Sequence, residues 1–319
     1  IIRFGSLIYY KYRTSKKKHK TSHVIIQDPG WPPLVCMVDR GKALEEGRVL
    51  VTEDLLKKVN TLKEILSGYK SVLVAFSGGV DSTLLLKVAH DVLGERVLAV
   101  TAVSEIYPPG EGEDASTLAR LIGCQHLVFE ARGLESPAFA GNPPDRCYHC
   151  KKDIYAELLK IARERGLNYV VDGANADDAG DYRPGLRAGV EMGIKSPLLE
   201  AGLTKEEIRT VSREMGLPTA DKPANPCLAS RFPYGTDITR EGLKQVAEAE
   251  KALHEMGFTV VRVRHHGNLA RIEVSPDSMP AVLEKSRSIE QKFREIGYTY
   301  VTLDLQGYRT GSMNEMLKI

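Results

Sequence analysis

Val72-Leu-Val-Ala-Phe76, followed by Ser77-Gly-Gly-Val-Asp-Ser82, reads as a buried strand that ends in a turn of small residues and opens a helix. Such a turn suits an oxyanion. Gly78 and Gly79 let the backbone approach closely, Ser77 and Ser82 offer hydroxyls, and the first amides of a helix from Asp81 to Val92 present a positive dipole end. No Gly-Lys-Ser/Thr follows, so the loop is not a Walker A motif. The plain alternative is a glycine-rich strand-to-helix turn that holds no ligand. The sextet Ser-Gly-Gly-x-Asp-Ser after an apolar strand is far more specific than a lone Gly-x-Gly.

Outward from this stretch, strand-like runs recur at Val97 to Ala102, His126 to Phe129 and Tyr169 to Val171. Helical patterns lie between them at Gly112 to Ile122 and Lys151 to Arg165, after a lead-in helix from about Glu53 to Ser67. This alternation predicts an α/β fold, a parallel sheet with helices on both faces, whose ligands sit at the carboxyl ends of the strands. A helix follows from Thr204 to Met215, with Thr204 as cap and Glu207 at the capping-box position. The proline-rich segment Pro218 to Pro226 then reads as a hinge. Beyond it come a helix (Arg240 to Met256), two strands (Thr259 to Arg264, Ala270 to Val274), a helix (Met279 to Glu295) and a strand (Tyr298 to Leu305). That order predicts a small C-terminal α+β domain with an antiparallel sheet. The expected division is an unstructured or artefactual extension at 1–46, the loop-bearing domain at 47–222 and the smaller domain at 223–319.

With 42% hydrophobic and 27% charged residues in 319, the composition is that of a soluble globular protein. No apolar run approaches the roughly 20 residues needed to span a bilayer. The net charge of +2 hides an uneven distribution: residues 1–36 hold seven Lys and Arg against the single acid Asp28. The rest is about four charges negative, which argues against a nucleic-acid footprint. Five cysteines do not make a secreted disulfide scaffold, and a reducing cytoplasm is the natural setting. Cys36 lies in the extension, and Cys124, in an apolar run, reads as a buried structural thiol.

Asp172-Gly-Ala-Asn-Ala-Asp-Asp178 follows a strand, where carboxylates such as Asp178 can hold the magnesium that accompanies ATP phosphates; a polar loop with helix caps is the alternative. In Arg146-Cys147-Tyr-His-Cys150-Lys151, read as a loop leading into a helix, two thiols can share a metal, form a redox pair or make half of a zinc site. Helix amides, Arg146, Lys151 and Lys152 are expected to lower their pKa values. Cys227 is the candidate third thiol, and near an activated carbonyl it can form a thioester; an inert thiol is the alternative. Ser230 and Arg231 follow it, and arginine suits forked binding of carboxylate or phosphate. Arg262 and Arg264 alternate with apolar residues, so they share a strand face as an anion clamp or as surface salt bridges. His265 and His266 point to opposite faces, which argues against a paired metal site.

The loop Ser77, Gly78, Gly79, Val80, Asp81 and Ser82 resembles the PP-loop of the ATP pyrophosphatases, which split ATP between its α and β phosphates. A longer set of stretches resembles one family among them, the LarE-type ATP-dependent sacrificial sulfur transferases of nickel-pincer nucleotide cofactor biosynthesis. It comprises Asn142 to Lys151, Asp172 to Gly185 with Tyr182-Arg183-Pro184-Gly185, Ser196-Pro197-Leu198, Lys222-Pro223-Ala224, Cys227 to Arg231, Arg262 to Arg264 and Tyr308-Arg-Thr-Gly-Ser312. The resemblance runs from about Leu62 to Leu317. It implies a PP-loop adenine nucleotide alpha hydrolase-like sheet and a homo-oligomer such as a hexamer. The implied reaction uses ATP and Mg2+ at the PP-loop, with Asp81, Ser230, Arg231 and Cys227 as catalytic residues. One carboxylate of pyridinium-3,5-biscarboxylic acid mononucleotide, held by Arg231, Arg262 and Arg264, is adenylated, and sulfur from the Cys227 position then replaces AMP. In single-cysteine members that sulfur is sacrificed and leaves dehydroalanine. Cys147, Cys150 and Cys227 resemble the three-cysteine branch, where they hold a 4Fe-4S cluster whose open iron carries an added sulfide. Alternatives are a tRNA-thiolating PP-loop enzyme, disfavoured by the negative body and the lack of paired Cys-x-x-Cys motifs, an amide-forming ligase without a visible amidotransferase domain, and a non-catalytic nucleotide sensor.

Overall fold

A computed structural model describes residues 52–178, 184–309, 311–312 and 315 with their side chains, and the backbone alone at 2–4, 7–13, 22–27, 34–38 and 179–180. Tyr182, Arg183, Thr310 and the Cys36 side chain lie outside the described residues. In the stretch expected to be unstructured, the backbone forms four strands, Ile2–Phe4, Leu7–Arg13, Ser22–Gln27 and Leu34–Val38, paired antiparallel in chain order. The β-branched and aromatic runs at Leu7 to Tyr10 and Val24 to Ile26 account for this difference.

The main sheet is parallel throughout. Its strands are β1 (Val72–Ala75), β2 (Val97–Val103), β3 (Gln125–Glu130) and β4 (Tyr169–Val171), in spatial order β3-β2-β1-β4. Strand periodicity sends alternate side chains of β1 into different layers. Val72 and Val74 pack with helices α1 (Glu53–Tyr69), α2 (Val80–Leu93) and α3 (Glu111–Ile122), whereas Leu73 packs against α4 (Arg146–Glu164). Both faces are thereby buried, as a parallel sheet requires. The strand order reverses between β1 and β4, the position where open α/β sheets bind ligands. The loop after β1 lies there.

The α5 helix (Lys205–Glu214) starts with the expected capping box, the Glu207 amide donating to Thr204 Oγ1 (3.3 Å) and the Thr204 amide to the Glu207 carboxylate (2.9 Å). The C-terminal unit holds α6 (Arg240–Glu255), β5 (Val261–His266), β6 (Leu269–Val274), α7 (Met279–Glu284), α8 (Ser286–Ile296) and β7 (Tyr300–Leu303). Its sheet is mixed rather than antiparallel. β6 pairs antiparallel with β5 but parallel with β7, because the two helices between β6 and β7 carry the chain back to the same end.

A small apolar cluster joins the two units. Ile106 and Phe139 from the first meet Leu228, Phe232, Leu243 and Val246 from the hinge and α6, and Cys150 and Cys227 pack on its edge.

Candidate active site

The loop after β1 holds its shape through internal hydrogen bonds. Gly78 takes φ +66°, a left-handed conformation that glycine adopts without strain, and an added Cβ would meet Ala115 and Leu118 only at ordinary contact distance, 3.5–3.6 Å, so the backbone angle is what selects glycine. Ser82 is buried; its Oγ donates to the Gly79 carbonyl (3.2 Å) and accepts from the Ser77 amide (3.3 Å). Ser82 thus braces the loop rather than offering a free hydroxyl, a role it shares with Thr83, whose Oγ1 donates to the Gly79 carbonyl at 2.8 Å. Ser77 is exposed, and Val80 opens the helix that follows.

The acidic loop after β4 lies beside this turn. A Cβ on Gly173 would come within 3.1 Å of the Ser82 nitrogen, so the two loops touch through backbone. Asn175 Nδ2 donates to Asp81 Oδ1 (3.3 Å), and its amide donates to Asp178 Oδ2 (3.0 Å). Asp172 accepts from Tyr155 (2.6 Å) and Ser196 (2.8 Å) and serves as an anchor. Two lysines reach the turn from far along the chain. Lys205 pairs with Asp81 Oδ2, and Lys222 Nζ donates to the Gly78 carbonyl at 3.3 Å. Sequence reading missed Lys205 and gave Lys222, within the stretch Lys222-Pro223-Ala224, no role, because only the packing of α5 and the hinge brings them here.

Magnesium fits this corner on one observation: Asp81 already holds a cation, the Lys205 ammonium, at the mouth of the turn. Magnesium at a phosphate site needs only one or two carboxylates besides phosphate and water.

A cavity of about 750 Å3 opens over the carboxyl ends of β1 and β2, a volume suited to a small ligand. Ser77 and Lys151 line it from the first unit, Leu228 from the hinge, and Leu243 and Lys244 from α6. Arg240 pairs with Glu105 (3.1 Å) across its rim. A single cavity therefore runs from the phosphate-type turn to the neighbour of Cys227.

Cys150 and Cys227 pack on one apolar cluster, and Cys147 lies three residues before Cys150 on α4. Cys147 and Cys150 sit inside the first turns of α4 rather than in a loop before it; Pro143-Pro144-Asp145 is the helix-start signal in the sequence. Cys147 is exposed, and Cys150 and Cys227 are partly buried. The Cys150 pKa is not lowered as expected. Burial pushes the Cys150 thiol up to about 12, with a further rise from Cys227, and burial raises Cys227, with a further rise from Cys147. The same three thiols help to hold the Tyr107 phenol up, chiefly a burial effect. The donors match an iron-sulfur cluster in kind. Among the described residues, however, no group of three or more His, Cys, Asp or Glu is arranged to hold a metal ion. Cys124 is buried, its pKa raised by burial to about 11, in keeping with a structural thiol.

The arginines divide. Arg231 is fully buried and forks onto Glu250 at 2.9 and 2.8 Å, and its NH1 donates to the carbonyls of Pro226 (2.7 Å) and Cys227 (3.1 Å) and to Ser230 Oγ (3.0 Å). Arg264 forks onto Glu273 at 2.9 and 2.7 Å and donates to the Ser230 carbonyl (2.9 Å). Carboxylates inside the protein take the forked edges of both, so Arg264 follows the salt-bridge alternative, buried rather than at the surface. Ser230 is a partner of both arginines, which makes it part of the same brace. The arginine face of β5 is not solvated either, because it packs on the hinge. Arg262 is the exception: among the described residues it donates to the carbonyls of Val261 (2.6 Å) and Ala224 (2.9 Å) and stacks near Tyr308, and burial lowers its pKa.

This separation predicts that Arg231→Ala acts on stability. Leaving Glu250 buried and unpaired should cost about 3–5 kcal/mol, read from urea unfolding. Unchanged stability with weakened substrate use would return Arg231 to anion recognition.

The sheet order, the turn at the point of reversal and the cavity above it define a PP-loop nucleotide-binding fold, and the sequence profile of the NAD synthase family matches residues 53–167. The chain is 41% identical over 264 residues to the pyridinium-3,5-bisthiocarboxylic acid mononucleotide synthase of Lactiplantibacillus plantarum, covering 82% of this chain and 96% of that protein. It belongs to that family, the LarE-type sulfur transferases. An uncharacterized Synechocystis protein is 45% identical over 82% of this chain and 99% of its own length. The tRNA-specific 2-thiouridylase of Desulforamulus reducens is 30% identical over only 48% of this chain and 53% of its own, so tRNA thiolation is a distant relation. Among the described residues no helix is long and apolar enough to cross a membrane.

Proposed function

We propose that this protein is an ATP-dependent sulfur transferase acting on pyridinium-3,5-biscarboxylic acid mononucleotide in nickel-pincer nucleotide cofactor synthesis. The observation that carries this reading is the cavity shared by Ser77 of the PP-loop and Leu228 beside Cys227. A ring carboxylate oxygen attacks the α-phosphorus of ATP and pyrophosphate leaves. The carbonyl carbon, now electrophilic, is attacked by sulfur, and AMP leaves. The amides of α2, with Lys205 and Lys222, offset phosphate charge, and magnesium at Asp81, near Asp178, would supply further charge neutralisation. Arg262 takes an anionic group of the mononucleotide.

Cys147, Cys150 and Cys227 would hold a 4Fe-4S cluster, which supplies a site for added sulfide. Support comes from the packing of Cys150 and Cys227, from two distant segments, on one apolar cluster. A homo-oligomer suits the free edge of β7, where Tyr300 is exposed, and the cytoplasm suits the free thiols. The function is tested by the oxygen-for-sulfur mass gain of the mononucleotide after incubation with ATP and magnesium. The sulfur source is tested by anaerobic reconstitution, which should give about four irons per chain. Cys147→Ala, Cys150→Ala and Cys227→Ala should each lose them, and Cys36→Ala and Cys124→Ala should keep them. No iron, with a Cys227 that loses the mass of hydrogen sulfide after one turnover, means the sacrificial route.

A further inference from the structure

We propose, on the reading of the turn after β1 as an ATP site, that Lys205 is a built-in placeholder for the divalent cation at Asp81 and that its release turns it onto the departing pyrophosphate. Lys205 is the first residue of α5, where a cation faces the positive end of the helix dipole and is locally disfavoured. The sequence places it there regardless, and the capping box of Thr204 and Glu207 fixes the turn. Its backbone amide donates to Asp177 Oδ2 (2.9 Å), which anchors α5 to the acidic loop, while its side chain crosses to Asp81 Oδ2. Asn175 fills the other oxygen of Asp81. A residue that breaks a local rule while reaching a binding loop marks function rather than fold.

The N-terminal end of α2, Lys205 and the Lys222 ammonium converge on one turn, where Asp81 is the carboxylate paired to Lys205 and Asp114 stands 4.0 Å from Lys222. Each ammonium is thus held by a carboxylate that a polyphosphate can replace. The Lys205 and Asp81 pair is only half-buried, with side-chain exposures of 35% and 21%, so it is weak enough to exchange. An ammonium and a divalent ion cannot both occupy Asp81 Oδ2. Entry of the metal frees Lys205 beside the phosphate chain that the metal brings.

The test compares the full chain with Lys205→Gln and Lys205→Arg, using Mn2+ alone and then inorganic pyrophosphate at saturating Mn2+, both by calorimetry. Lys205→Gln should bind Mn2+ about two- to fivefold more tightly, because the competing ion pair is gone. It should bind pyrophosphate about tenfold more weakly, because a charged donor is lost. Lys205→Arg should stay near the parent in both, and adding Asp81→Asn to Lys205→Gln should abolish the Mn2+ gain. A structural role for Lys205 would not move the two affinities in opposite directions. Unchanged or weaker Mn2+ binding by Lys205→Gln, no Mn2+ binding at all, or unchanged pyrophosphate binding overturns the proposal. If the parent chain binds no MgATP, it is the ATP-site reading that fails; if it binds MgATP while the Mn2+ arm is flat, only the placeholder role fails.

Discussion

Asp81→Ala abolishes ATP-dependent pyrophosphate release, by about a hundredfold or more, and leaves the fold intact. The size follows from losing the carboxylate that holds the Lys205 ammonium at the mouth of the turn, in a site where charge stabilisation dominates the rate. The small effect on folding follows from the partial exposure of the Asp81 and Lys205 pair, which is worth about 0.2–1 kcal/mol. Ser77→Ala removes the loop hydroxyl that lines the cavity and should slow the same step by about tenfold. Release of pyrophosphate at the parent rate by Asp81→Ala, with a matching melting temperature, would remove this residue from the reaction.

Cys227→Ala separates the two half-reactions. Adenylation uses the PP-loop and the cavity, neither of which needs the thiol, so one burst of pyrophosphate should still accompany the mononucleotide. Thiocarboxylate should fall to background, since the attacking sulfur or its carrier is gone. The substitution removes only a sulfur at the edge of the apolar cluster around Leu228 and Phe232, so the fold should hold. Sulfur transfer at the parent rate by Cys227→Ala would place the sulfur donor elsewhere.

Local signals carried the reading of the first unit. The Val72 to Ser82 stretch, the apolar strands and the Thr204 capping box all depend on residues close in sequence, and each stands where its pattern puts it. The errors lie where distant segments meet. Arg231 and Arg264 read as open forks because Glu250 and Glu273 face them only once α6 and β6 have packed. Lys205 carries no sign in the sequence of its reach to Asp81, 124 residues away. The Cys150 pKa went the other way because burial at the domain junction outweighs the charge of Lys151, and no spacing rule encodes that burial. The antiparallel expectation for the C-terminal sheet overlooked that two helices between β6 and β7 suffice for a parallel crossover.

Pyrophosphate release by the full chain, with MgATP and with or without pyridinium-3,5-biscarboxylic acid mononucleotide, tests the central claim most directly. Release that depends on the mononucleotide and is matched by its thiolated product is the predicted result. Release that is equal without it, or that answers to tRNA instead, would contradict the account.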